Sequence, residues 1–487
     1  MKNIFDKMNT KVDYHFYQKK DKNLQRTMGV KDFLALGLGT ILSTAIFTLP
    51  GIVAAEYTGP SVVISFILAA VVAGLVAMNY AEMASALPFA GSAYSWISVV
   101  FGKFWGWIVG WALIAEYVIA VAFVASGLSS NLRGLVSPIG LVLPNSLSNP
   151  LGTNGGIVDI VAVAAVAIVA FVLFRGDKST SKITDTLVIL KLLAIITFVV
   201  VGATAIKTSN YFPFIPKSHP NANGTTFGGW GGIYAGMSTI FLAYIGFDSI
   251  ASNSAEAKNP QKTMPRGIIG SLVIGTLFYI AVSLVLVGMF KYSVYANNSE
   301  PVGWALREIG HTVTATVVQA VAILGMFTAL IAMMMAGSRL IYSFGRDGML
   351  PKKVGNLNTR HLPSIAIWVI TIVGIVLGAV FPFTFLAELI SAGTLIAFMF
   401  VSLGLYPLRK REGKTLPEAS FKAPFYPVFP FLGFLGALGI FCGLDIEAKT
   451  YSIVWFVIGV IIYFAYSVRH SVQDDAVKTN SSSNTEK

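Results

Sequence analysis

Residues 33–51 read FLALGLGTILSTAIFTLPG and form the first long apolar stretch of the chain. A helix rises about 1.5 Å per residue, so the stretch is long enough to cross a bilayer. Where a plain membrane anchor would carry Leu and Val, its middle holds small and hydroxylated residues: Gly39, Thr40, Ser43, Thr44 and Ala45. In hydrocarbon every backbone N–H and C=O needs a partner, so a weakened helix is tolerated only where it lines a protein cavity or meets a ligand. The stretch therefore predicts an interrupted spanning helix with a binding site at the interruption.

The composition indicates an integral membrane protein. Of 487 residues, 55% are hydrophobic and only 12% are charged, whereas soluble domains carry about 25% charged residues. Mean hydropathy is +0.71. Apolar windows of spanning length lie at roughly 31–56, 60–87, 98–131, 157–174, 184–206, 231–255, 267–290, 312–343, 363–382, 385–408, 428–446 and 451–468. We therefore predict an all-α membrane protein with about twelve transmembrane helices.

The net charge of +12 is a topology signal. Most Lys and Arg lie in the two tails and in every second connection, and the remaining connections carry few: Arg133, Lys207, Lys217, Lys291, Arg307 and Lys449. The positive-inside rule then predicts a multi-pass plasma-membrane protein with both termini cytoplasmic, and nucleic-acid binding loses its main support. Residues 1–30 lack the apolar core of a signal peptide and are predicted to be a cytoplasmic tail. The polar residues 471–487 are predicted to be a disordered cytoplasmic tail.

A second interrupted segment, residues 239–249 (TIFLAYIGFDS), lies five spans after the first. A single Gly or Ser in a membrane helix more often permits close packing than unwinding. Two interruptions at equivalent positions are instead typical of an inverted repeat of five helices. We predict a core over residues 31–408, with repeats at 31–206 and 231–408, and peripheral helices 11 and 12 over 428–468.

The two interruptions together favour an amino acid as ligand. The N-terminus of a half-helix presents free N–H groups and a positive dipole end that suit a carboxylate, whereas exposed carbonyls suit an ammonium. Gly37 and Gly39 do not form a dinucleotide fingerprint, because Leu42 occupies the place of the third glycine. The lipid bilayer and a small-molecule substrate are the partners we expect, and the sequence leaves the oligomeric state open.

Lys191 and Glu116 are the two charges predicted deepest in the membrane. A charge at mid-membrane costs at least about 2.5–3.5 kcal/mol on insertion scales, so each needs a reason. Lys191 is predicted to gain and lose the coupling proton and to take the place of a bound sodium ion, so no sodium site is expected; the alternative is a permanent hydrogen bond to carbonyls of the first interrupted helix. Glu116 could shape the pocket, relay protons, or accept hydrogen bonds from a neighbouring helix. Glu82 and Asp248 lie nearer span ends and are weaker candidates.

Several motifs together are similar to those of the amino acid–polyamine–organocation superfamily: Gly39–Phe47, Phe241–Asp248, Glu256–Gln261, Gly345–Gly348 and Lys422–Pro424. The resemblance covers nearly the whole membrane region. Within the superfamily the chain resembles the bacterial members of the cationic amino acid transporter branch, and among them the branched-chain amino acid permeases of Gram-positive bacteria. It implies a proton-coupled importer that works by alternating access.

The same resemblance implies site residues. The substrate carboxylate would meet the backbone at Ser43, Thr44 and Ala45. Its ammonium would meet the carbonyls of four residues: Ile41, Ala243, Tyr244 and Ile245. Lys191 matches the fifth-helix lysine that family members use in place of sodium. Many relatives have Gly-Thr-Gly where this chain has Ser-Thr-Ala.

The sequence favours a transporter over two other classes. A multi-span enzyme would need a catalytic cluster such as His with carboxylates, and a channel would need a ring-forming filter; neither pattern is visible. One cysteine, Cys442, and five scattered His offer no disulfide or metal-ligand spacing, so no cofactor is expected. Apolar surroundings and the run Met333–Met335, which could form an adaptable wall, favour neutral substrates such as Ile, Leu, Val or Met. A cationic or broad-range transporter or exchanger of the same fold is the alternative.

Overall fold

The structure of the protein is a computed structural model. It describes residues 8–20, 26–89, 91–153, 155–175, 180–221, 225–296, 298, 300–359 and 362–471. The predicted C-terminal tail, apart from Ser471, lies outside the described residues, as do parts of the predicted N-terminal tail.

Helices account for nearly all of the described secondary structure. They are α1 (Tyr14–Lys20), α2 (Val30–Ile41), α3 (Thr44–Val53), α4 (Val62–Ala86), α5 (Ser92–Val100), α6 (Lys103–Val136), α7 (Asn145–Ser148), α8 (Ile160–Arg175), α9 (Thr180–Ala203), α10 (Gly229–Ile240), α11 (Phe247–Ser252), α12 (Pro260–Met289), α13 (Pro301–Glu308), α14 (Thr312–Arg346), α15 (Ser364–Val380), α16 (Phe383–Arg411), α17 (Val428–Gly443), α18 (Ile446–Ile462) and α19 (Val468–His470). A two-residue hairpin pairs β1 (His219–Pro220) with β2 (Thr226–Phe227) antiparallel.

The described helices make twelve apolar crossings, as the windows predict. The first crossing is split into α2 and α3, and the sixth is split into α10 and α11. The apolar stretch of α6 is wholly buried, whereas α18 is mostly exposed on the outer surface of the bundle. In the bundle α6 packs against α14 and α16, and α12 packs against α2 and α4. The chain is therefore an all-α membrane protein with α6 at its centre and its two broken crossings among the central helices.

Short helices fill connections where the hydropathy pattern predicts only loops or the start of a span. The helix α5 precedes α6, and α13 lies in the connection before α14. A Cβ on Gly51 would lie 2.6 Å from Pro301 Cβ, so the start of α13 sits directly against α3. At the same end, Glu300 accepts hydrogen bonds from Arg307 and Gln319.

Part of the predicted N-terminal tail packs on the bundle. The Val12 N–H donates to the Ser98 carbonyl at 3.1 Å, and Val12 itself is buried. Tyr17 on α1 is 3% exposed and lies in edge contact with Tyr94 of α5. Residues 8–20 thus belong to the folded unit.

A buried ion pair fastens the segment after α16 to α4. Glu82 accepts hydrogen bonds from Arg409 Nε at 2.6 Å and Nη2 at 2.8 Å. The Ala423 N–H donates to the same carboxylate at 2.6 Å. Glu82 is fully buried, so its charge is compensated by an interaction 327 residues away in sequence. Glu82 thus holds the segment after α16 against α4.

Candidate substrate-binding site

The first break separates α2 from α3 at Leu42 and Ser43. Leu42 has φ −86° and ψ 42°, and Ser43 has φ −82° and ψ −132°, so neither continues the helix. Small and hydroxylated residues at the break do not resist this unwinding, as strong helix formers would. The C-terminal carbonyls of α2 and the N-terminal N–H groups of α3 therefore meet inside the bundle, where intrahelical partners are lacking.

The second break follows α10 and has a different shape. A 3₁₀ turn covers Phe241–Tyr244, Ile245 is extended, and Gly246 has φ 130°. Only glycine adopts that angle readily. A Cβ at Gly246 would also lie 2.7 Å from Thr40 Oγ1, so the two breaks touch at this point. The Thr40 hydroxyl lies 3.2 Å from the Gly246 carbonyl.

Two aromatic hydroxyls brace the breaks. Tyr279 on α12 donates to the Ile41 carbonyl at 2.8 Å. Tyr244 donates to the Phe66 carbonyl on α4, also at 2.8 Å, and Phe66 stacks on Tyr279 with ring centroids 4.9 Å apart. One lone pair of the Ile41 carbonyl is therefore occupied, which leaves the other for a ligand.

Thr44 is the buried polar group at the first break that lacks a protein partner. Its Oγ1 meets no hydrogen-bond partner in the described part of the chain, although the residue is fully buried. A buried hydroxyl without a partner costs free energy. It stands at the first residue of α3, where a carboxylate would also meet free N–H groups.

Lys191 reaches the first break directly. Its ammonium donates to the Gly39 carbonyl in the last turn of α2 at 2.9 Å, and the side chain is 1% exposed. A cation is favoured at that place, because the C-terminal end of a helix carries partial negative charge. In the described residues no carboxylate forms an ion pair with Lys191.

Glu116 lies beside the second break, near Asp248. Thr394 donates to Glu116 Oε2 at 2.8 Å, and the Glu116 and Asp248 carboxyl groups lie close enough to interact electrostatically. Asp248 Oδ1 accepts from the Gly246 N–H at 2.9 Å. Asp248, a weaker candidate in the sequence, thus caps the second break.

Aromatic rings and one glycine form the wall opposite Thr44. Phe123 of α6 and Phe383 of α16 stack with centroids 4.2 Å apart. A Cβ on Gly127 would lie 2.0 Å from Thr44 Cγ2 and 3.2 Å from the Phe383 ring. Of the methionine run, Met333 and Met334 are buried and Met335 is 37% exposed. The wall that faces Thr44 is therefore apolar.

Most of the sequence-predicted residues come together, and some contacts could not be seen in the sequence. Ile41, Ser43–Ala45 and Ala243–Ile245 lie at the two breaks, and Lys191 contacts α2. Glu116 joins the second break and has no hydrogen bond to Lys191 in the described residues. Thr40 and Tyr279 were missed. A threonine and a tyrosine in apolar runs carry no sequence signal of a contact with a distant break.

Two discontinuous helices whose breaks touch inside the bundle are typical of secondary transporters. The comparison with known proteins agrees. The model of the amino acid permease family matches residues 28–476, and the chain belongs to this family. It is a membrane transporter and not an enzyme.

Three relatives are similar over almost their full length. The branched-chain amino acid permease BcaP of Lactococcus lactis subsp. cremoris (strain MG1363) is 60% identical over 459 residues, 94% of this chain and 98% of the relative. The methylthioribose transporter of Bacillus subtilis (strain 168) is 35% identical, with 93% and 96% covered. The branched-chain amino acid permease BcaP of the same strain is 34% identical, with 93% and 95% covered.

Proposed function

We propose that the protein imports branched-chain amino acids into the cell by proton-coupled alternating access. The observation that carries the proposal is the pair of broken helices with Lys191 bound to the end of the first. The 60% identical relative named as a branched-chain amino acid permease supports the substrate class. The excess of Lys and Arg in alternate connections supports a plasma-membrane location with both termini cytoplasmic.

The α-groups of the substrate would bind to backbone atoms of the two breaks. The carboxylate would lie at the N-terminus of α3, within reach of the N–H groups of Ser43–Ala45 and of the Thr44 hydroxyl, which has no hydrogen-bond partner among the described residues. The ammonium would lie against carbonyls of Ile41 and Ala243–Ile245, with the Ile41 oxygen shared with Tyr279. These groups complement any α-amino acid, so they set the class of substrate and not its side chain.

Two features favour a neutral, apolar side chain. The wall facing Thr44 is formed by Phe123, Phe383 and Gly127, none of which offers a cation a counter-charge. The two deep carboxyl groups already accept hydrogen bonds from the protein, Glu116 from the Thr394 hydroxyl and Asp248 from the Gly246 N–H. A cationic side chain would have to break that arrangement, because a buried charge needs its own counter-charge.

Lys191 would couple the proton to the movement of α2. When protonated, it places a positive charge on the end of α2 and donates a charge-assisted hydrogen bond, which is about twice as strong as a neutral one. Loss of the proton removes the charge and weakens that bond. The end of α2 frames the substrate site, so the proton on Lys191 and the position of α2 would depend on each other.

Uptake into proteoliposomes tests the proposal. With an inward proton gradient, purified protein is expected to accumulate radiolabelled leucine above the outside concentration and to lose that accumulation when a protonophore is added. Unlabelled Ile and Val should compete, whereas Arg, Lys and methylthioribose should not. Competition by Arg or Lys without competition by Ile or Val overturns the substrate class. If leucine accumulation is unchanged by the protonophore and depends on a sodium gradient, proton coupling is wrong.

The variant Lys191→Ala tests the coupling residue. We expect it to lose uphill accumulation while exchange of labelled for unlabelled leucine persists, because exchange needs no net proton transfer. Accumulation at the wild-type level with an unchanged pH dependence would show that Lys191 is only a scaffold lysine.

A further inference from the structure

Gly325 of α14 lies against the side chain of Lys191. A Cβ placed on Gly325 would be 2.8 Å from Lys191 Cε, 3.3 Å from Cδ and 3.5 Å from Nζ. The Lys191 ammonium is 2.9 Å from the Gly39 carbonyl on α2. The lysine side chain therefore passes between α14 and α2, and the missing side chain at position 325 provides the space for it.

A side chain at position 325 would displace the lysine and leave the helices in place. Real Cβ atoms do not approach carbon within 3.0 Å, so one of the two groups must move. The group with the freedom to move is the end of the lysine side chain, which has several rotatable bonds. A hydrogen bond of 2.9 Å is lost once the donor moves away by somewhat more than half an ångström. The ammonium would therefore leave Gly39.

We propose that Gly325 is a positioning residue that holds the Lys191 ammonium on the Gly39 carbonyl. This inference rests on the proposed role of Lys191 in proton coupling. Few charged or polar groups face the ammonium in the described structure. The α2 helix contributes the Gly39 carbonyl, α14 contributes Gly325, which has no side chain, and neither helix contributes a carboxylate that bonds to the ammonium. Because position 325 acts through steric contact alone, its substitution changes where the ammonium lies without adding or removing a charge.

Close helix packing is the competing explanation for a glycine in α14, since small residues let membrane helices approach. The two explanations differ in what they predict when Lys191 is absent. If Gly325 serves Lys191, shortening the lysine removes the need for glycine. If it serves the contact of α14 with another helix, the need remains.

The first test measures transport by Gly325→Ala in the full-length protein. We expect exchange of leucine to keep its KM within about threefold of wild type, whereas accumulation driven by a proton gradient falls at least about tenfold and its pH profile shifts. The control is Gly439→Ala on α17, where an added Cβ meets nothing within 4 Å; it should behave as wild type. Wild-type accumulation and pH profile in Gly325→Ala would overturn the proposal. Equal loss of exchange and accumulation would also overturn it.

The second test is a double-mutant cycle on the melting temperature of purified protein, which does not depend on transport. Gly325→Ala is expected to lower the melting temperature when Lys191 is present, and to leave it unchanged or raise it slightly in Lys191→Ala, because only the gain in helix propensity remains there. An equal fall in both backgrounds would show that Gly325 serves packing alone. If wild-type protein shows no proton-driven accumulation, the proposed function fails, whereas the cycle still decides whether Gly325 positions Lys191.

Discussion

The substitution Gly127→Ala should impair transport through a clash with Thr44. The added Cβ would lie 2.0 Å from Thr44 Cγ2, 3.3 Å from Thr44 Cβ and 3.2 Å from Phe383 Cε2. Thr44 is β-branched, so its χ1 has few alternatives. Phe383 is stacked on Phe123 at 4.2 Å. Since neither neighbour yields easily, α3 must move away from α6 at the point where the substrate carboxylate is expected.

The magnitude follows from opposing contributions. Overpacking a well-packed site costs about 1–3 kcal/mol, whereas Gly to Ala within a helix gains up to about 1 kcal/mol in propensity. Global stability should thus fall by no more than about 2 kcal/mol. The local strain falls entirely on the site, and 1–3 kcal/mol there corresponds to about a 5- to 150-fold loss in transport efficiency.

Leucine uptake by proteoliposomes, with KM and maximal rate measured separately, checks this prediction for Gly127→Ala. Melting temperatures confirm folding, and Gly439→Ala serves as the control with open space around its Cβ. The double variant with Thr44→Ser removes the Cγ2 atom involved in the closest contact and should recover part of the activity. Wild-type KM and rate in Gly127→Ala, or no recovery in the double variant, would refute the steric reasoning.

Two further predictions concern charges away from the site. Glu82→Gln should lower stability by about 2–4 kcal/mol in melting experiments because Arg409 loses its buried counter-charge, whereas Lys422→Gln breaks an exposed pair and should cost at most about 1 kcal/mol. Burial raises the pKa of Glu300 from 4.5 to about 7, against the opposing effect of Arg307. The contribution of Glu300 to the free energy of unfolding is fully present below about pH 4.5 and is lost as the pH rises through 7. Glu300→Gln should therefore make the melting temperature less dependent on pH over that interval. Equal effects of Glu82→Gln and Lys422→Gln, or an unchanged pH dependence in Glu300→Gln, would contradict these predictions.

The breaks could be predicted from the sequence because their cause is local. Small and hydroxylated residues at 39–45, and Gly246 with Asp248 after an apolar run, weaken a helix wherever they occur in hydrocarbon. An inverted repeat of the predicted kind would then place the two segments face to face. Lys191 could be assigned to the first break for a similar reason, since an isolated charge in a span must find carbonyls or a counter-charge.

Pairings between distant helices could not be predicted in the same way. Glu116 lies on α6 and Asp248 on α11, and which deep carboxyl comes close to which depends on the rotation of α6 about its axis. The hydropathy of α6 offers no guide, because its apolar stretch is buried on every side. The same holds for Gly325, whose role is visible only once the path of the Lys191 side chain is known.

Backbone contacts and side-chain contacts would serve different parts of the proposed function. The α-groups of the substrate would bind to main-chain atoms at the breaks, and any sequence that breaks both helices at these places provides them. Side-chain selectivity would depend on walls such as Phe123 and Phe383, which come from α6 and α16 and meet only in the folded bundle. A relative named for methylthioribose and one named for branched-chain amino acids are almost equally similar to this chain, at 35% and 34% sequence identity. Family membership alone therefore does not select the substrate, and the wall residues are where a change of substrate should be sought.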